Sequence, residues 1–75
     1  MVNQSMLDSA YNYAARMLTE RSRRSYDWRG AVHLALTQAT RHWDSERNVS
    51  FSTYAHHLIR GHILDMLRKG VVVNH

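Results

Sequence analysis

The 75-residue chain contains no cysteine and no proline. Without cysteine there is neither a disulfide staple nor a zinc-thiolate site, so side-chain packing alone must hold the fold. The lack of thiols fits a reducing compartment. Without proline, and with only three glycines, no linker or low-complexity run divides the chain, and a single domain is expected over residues 1–75. At this size only roughly 60% of the unfolded chain's surface can be buried, so stability should be modest and open to support from a partner. No stretch approaches the ~20 apolar residues that span a bilayer, and Met1-Val2-Asn3-Gln4-Ser5 lacks the basic-then-apolar pattern of an export signal. No membrane role is expected, and the cytoplasm is the expected location.

Lysine is also scarce. Of the ten basic residues nine are arginine and only Lys69 is lysine, within a formal charge of +4 that leaves six histidines uncounted. Arginine's planar fork binds phosphate bidentately and stacks on bases, which suits nucleic acid. A GC-rich genome would produce the same bias through its codons, and composition does not choose between the two. His57 and His62 do not have the i, i+4 spacing of a helical zinc site, and no cysteine completes a ligand set. No nucleophile–base constellation and no phosphate-cradling glycine loop occurs. Neither a metal, a cofactor nor a catalytic activity is expected.

Helical periodicity dominates what is present. A first helix is predicted from Gln4 to Ser22, with Ser5 and Asp8 as a capping box and Leu7, Ala10, Ala14, Met17 and Leu18 on its apolar side. Tyr11 and Tyr13 point in different directions, so at least one should be exposed. Arg21 to Ser25 reads as a basic, polar connector. A second helix is predicted from Asp27, its N-cap, to Trp43, with a stripe through Val32, Leu36, Ala39 and Trp43. Ala31 and Ala35 offer a flat second face. Residues 44–52 read as a turn in which Asn48 can adopt the left-handed conformation. Ser52 is the expected cap of a third helix, from Thr53 to Lys69, with Ala55, Leu58, Ile59, His62, Ile63, Met66 and Leu67 inward and Gly70 as its stop. Val71 to His75 would be a tail. The fold class expected is all-α, a small three-helix bundle.

The most specific signal lies between Asp27 and Arg68. Asp27 opens a helix that ends in Trp43-Asp44; a short turn leads to Phe51-Ser52-Thr53-Tyr54-Ala55, and the last helix continues Ile59-Arg60-Gly61-His62-Ile63-Leu64-Asp65-Met66-Leu67-Arg68. This frame resembles conserved region 2 of bacterial sigma factors, with no gap in the spacing. The ending is most similar to the flagellar and general-stress alternative sigma factors. The resemblance implies a protein that binds the RNA polymerase core, at the clamp coiled coil of its largest subunit, and captures −10 promoter DNA as a single, non-template strand. Such a strand is held by stacking a flipped base on an aromatic ring while cations hold the backbone.

Carried over by position, Tyr54 matches the base-receiving tyrosine, Phe51 the aromatic before the helix, and Arg60 the arginine of Ile-Arg. Arg47 lies where the family often has a basic turn residue, and His56 and His57 could stack on bases or meet phosphate. From the residues alone, Tyr54 and Phe51 also read as core aromatics, and Arg60 also reads as an internal salt-bridge partner of Asp44 or Asp65. The polymerase-facing set would be Asp27, Trp28, Ala31 and Leu34, with Trp28 either a hot-spot anchor or a core residue.

The departures are specific. Housekeeping sigma factors carry two adjacent tryptophans that wedge the melted bubble, which are His57 and Leu58 here; their base-reading Gln and Thr are Gly61 and Leu64, and the alternative group also lacks these residues. On the second helix the family's Gln becomes Gly30, and two glycines become Val32 and Ala35. No segment reads as a −35-binding domain. The chain is therefore expected to be a stand-alone form, of the kind a phage or mobile element carries, either completed by a second sigma subunit or acting as a sigma-mimicking inhibitor that does not melt DNA.

Overall fold

Four α-helices follow one another in a computed structural model that describes residues 3–46 and 48–70. They are α1 (Gln4–Met17), α2 (Glu20–Ser25), α3 (Trp28–His42) and α4 (Phe51–Lys69), and no strand occurs among the described residues. Arg47 and the segment 71–75 lie outside them. The three long helices form the expected all-α bundle. None of the four is long and apolar enough to cross a membrane.

Each start is set by a short polar side chain that accepts a helix N–H otherwise left unpaired. At α1 the cap is Asn3, whose side chain accepts from the Met6 N–H at 2.8 Å, rather than the Ser5 expected from its spacing to Asp8. At α4 it is Ser50, not Ser52; its hydroxyl accepts from the Thr53 N–H at 3.2 Å, and the helix begins at Phe51. Asp27 caps α3 as predicted. At the far end of α4, Gly70 takes the left-handed conformation (φ 68°) and donates its N–H to Met66 O at 3.0 Å. Asn48 does not adopt that conformation, because no described residue other than glycine has positive φ.

The first helix ends sooner than its pattern suggests. Leu18 turns extended (φ −114°, ψ 145°), which buries its side chain in the core. Thr19 then caps a new helix, so the supposed connector Arg21 to Ser25 is α2. Arg23 fastens this corner: its guanidinium donates to Leu18 O at 2.7 Å and, at 2.8 Å, to Ala15 O, which also accepts the Leu18 N–H.

The core joins Ala10, Ala14 and Leu18 of the first segment to Trp28, Val32, Ala35, Leu36 and Ala39 of α3 and Ala55, Ile59, Ile63 and Met66 of α4. Among the described residues, no polar residue is buried with them. Trp43, at the end of the predicted stripe, is only half-buried. Tyr11 and Tyr13 are both half-buried, so neither is the exposed tyrosine expected: Tyr11 meets Trp28 edge-on at 5.9 Å, and Tyr13 stacks on His56 at 4.2 Å.

Candidate functional site

The turn between α3 and α4 is pinned by its aromatic ends. Trp43 donates its indole N–H to Val49 O at 2.9 Å, and its ring meets Phe51 edge-on at 5.6 Å. The Asp44 carboxylate accepts the Glu46 N–H at 2.9 Å, closing the turn on itself. Phe51 is thus half-buried against Trp43, as an anchor for the start of α4. Tyr54 sits one turn further on, also half-buried, and its hydroxyl has no partner among the described residues.

Beyond Tyr54 the outer side of α4 carries His57, Gly61 and Leu64 at i, i+4 and i+7, all exposed. A shallow groove of about 320 Å³ runs there, lined by His57, Leu58, Gly61, His62 and Asp65. A Cβ placed on Gly61 would touch nothing within 4 Å, so the missing side chain leaves open space. Arg60 is exposed and has no ion-pair partner among the described residues. Of its two expected partners, Asp44 is engaged by its own turn and Asp65 by Arg68 at 3.3 Å and Lys69 at 3.2 Å. Hydrogen bonds from Lys69 and then Arg68 hold the Asp65 carboxyl below its ordinary range.

Tyr54, His57 and Arg60 therefore share the exposed side of α4, whereas Phe51 and His56 do not join them. His56 is half-buried, turned toward α1 and stacked flat on Tyr13 with 12° between the rings. Arg47 is outside the described residues.

On α3 the polymerase-facing candidates divide. Asp27 is exposed, and its carboxylate accepts the Gly30 N–H at 3.2 Å. Trp28 is 5% exposed, a core residue against Tyr11 rather than an exposed anchor. Ala31 is half-buried, and Leu34 is 52% exposed although every other large apolar residue of α3 faces inward. Sequence reasoning missed the link between this helix and α4: Gln38 Oε1 lies 2.7 Å from His62 Nε2. His62 was legible only as an inward position, and nothing in the spacing announces a pair 24 residues apart. Arg29, whose guanidinium lies 4.6 Å from the centre of the Trp28 ring, was missed as well.

Residues 4–71 match the family described as Sigma-70 region 2. The chain belongs to that family. The match runs from the first residue of α1 through α4, beyond the frame from Asp27 to Arg68 that carries the resemblance. Membership of the sigma-70 region 2 family gives the chain a sigma-factor-like, RNA polymerase-binding role in transcription initiation. No curated protein and no solved structure matches it.

Proposed function

We propose that this sigma-70 region 2 domain binds the RNA polymerase core through the outer side of α3 and captures a −10-like, single-stranded promoter segment on the outer side of α4. Leu34 carries the first half. A leucine 52% exposed in the middle of a helix whose other large apolar residues are buried is what a protein-docking surface needs, and it lies where the family meets the clamp coiled coil of the polymerase's largest subunit. Ala31 and Asp27 lie one and two turns from it toward the start of the helix, while Trp28 supports this surface from inside.

On α4, a half-buried Tyr54 offers one ring face to a base, worth about 1–3 kcal/mol by stacking. Arg60, free of carboxylate partners among the described residues, and His57 supply backbone contacts; Arg47 is assigned to the same strand by its place in the turn. Phe51 contributes by fixing where α4 begins, and His56 by holding α4 against α1. A second sigma subunit would supply the promoter contacts that lie outside region 2.

A second reading has its own observation. His57 and Leu58 stand where housekeeping sigma factors carry the strand-separating tryptophans, and Leu58 is half-buried against the core. A domain so altered would occupy the polymerase without opening DNA, and act as a competitor of the resident sigma factor. Capture of core RNA polymerase by the full chain, followed by transcription with and without that sigma factor, separates the two. Promoter-dependent transcripts support the first reading, loss of the resident factor's transcripts supports the second, and failure to retain polymerase sinks both.

A further inference from the structure

A groove of about 180 Å³ at the corner between α2 and α3 is lined by Arg23, Arg24, Tyr26, Asp27, Trp28 and Arg29. It lies at the start of α3, whereas Tyr54 lies beside the far end of that helix. Fifteen residues of α3 separate the two, about 22 Å at helical rise. The arginines here are not held alike. Arg23 is consumed by the carbonyls of Ala15 and Leu18. Arg29 is laid on the buried Trp28 ring at 4.6 Å with Tyr11 beside it at 6.0 Å, and no carboxylate pairs with it among the described residues. Arg24 has only a loose, exposed partner, Glu20 at 3.6 Å. Arg21, three residues before it, shares its side of α2 and pairs with no carboxylate among the described residues. The one acid in the groove, Asp27, is committed to the Gly30 N–H.

We infer that Arg21, Arg24 and Arg29 form a second contact for nucleic-acid phosphates, which holds the backbone of DNA running past the segment captured at Tyr54. A guanidinium held over an aromatic ring can still offer N–H groups to a phosphate and loses little freedom when one docks. The buried Trp28 ring is covered by the Arg29 guanidinium and not open to a base, and the three cations are assigned to phosphate and not to sequence. This rests on the nucleic-acid half of the proposed function but on none of its residues.

The test measures binding of the full chain to a duplex carrying a single-stranded −10-like overhang, by fluorescence anisotropy across a salt series. Each phosphate contact contributes roughly 0.7–0.9 to the slope of log affinity against log salt. Arg21→Gln, Arg24→Gln and Arg29→Gln together should lower that slope by about 2, with helicity by circular dichroism unchanged. Tyr54→Ala should lower affinity at every salt concentration and leave the slope alone. Arg29→Lys, which keeps the charge, should retain the slope, so a loss caused by misfolding is distinguishable. A triple variant with the wild-type slope overturns the second contact while leaving Tyr54 standing. Wild-type protein that ignores the DNA, or that binds it no better than it binds polyglutamate, overturns the nucleic-acid assignment as a whole.

Discussion

Asp27 and Gly30 form a unit at the start of α3. A Cβ added to Gly30 would lie 2.5 Å from Asp27 Oδ2, so any larger residue displaces the carboxylate that caps the helix. Asp27→Ala should cost about 1 kcal/mol, the usual loss for an N-cap. Gly30→Ala should be nearly neutral in urea denaturation, because a propensity gain of about 1 kcal/mol is offset by the displaced cap. A gain of the full propensity difference would mean that Asp27 finds another cap geometry. The capping role of Asp27 was legible because a carboxylate just before an apolar stripe has one local use. The burial of Trp28 was not: one residue inside a cap, it could face either way, and only Tyr11 from another helix decides. Tyr54→Phe should preserve single-strand binding, whereas Tyr54→Ala should weaken it by about 1–3 kcal/mol; equal affinities for all three would remove the ring from the mechanism.

At the scale of elements, α2 shows where a periodic reading fails. Its six residues include no buried side chain, so there is no apolar stripe to detect, and it exists because Thr19 caps it and Arg23 ties it to the end of α1. A Thr followed by Glu20 in the first turn was the available signal. The displaced start of α4 has a different cause: Ser50 and Ser52 are both suitable caps, and the choice falls to Trp43, which holds Phe51 at the first helical position. At the other end of α4, Arg68 and Lys69 keep the Asp65 carboxyl below its ordinary range, so the folded state favours its charged form. That contribution is present above the unfolded carboxylate value and is lost as pH falls through the folded one. The melting temperature of Asp65→Asn should therefore trail the wild type at neutral pH and converge with it in acid, the gap being small for so exposed a group and shrinking further in salt.

Across the whole molecule, the bundle was legible because three stripes step by three and four residues toward a common interior. Ile59 and Ile63 are fully buried at its centre, and truncating either to alanine should cost about 2–5 kcal/mol, enough to leave much of so small a domain unfolded at room temperature by circular dichroism. Leu34→Glu should do the opposite: retain the melting temperature yet lose RNA polymerase in a pull-down, and retention of polymerase would move the docking surface elsewhere. The interior is also unevenly furnished. Within α1 the fully buried side chains are two alanines, Ala10 and Ala14, its larger apolar residues Leu7, Tyr11, Tyr13 and Met17 being only partly buried, whereas α3 and α4 bury tryptophan, valine, leucine, isoleucine and methionine. Alanines let backbones approach closely but remove little apolar area from water. Amide protons of α1 should therefore exchange with deuterium well before those at the centres of α3 and α4, through openings that release the first helix while the other two stay paired.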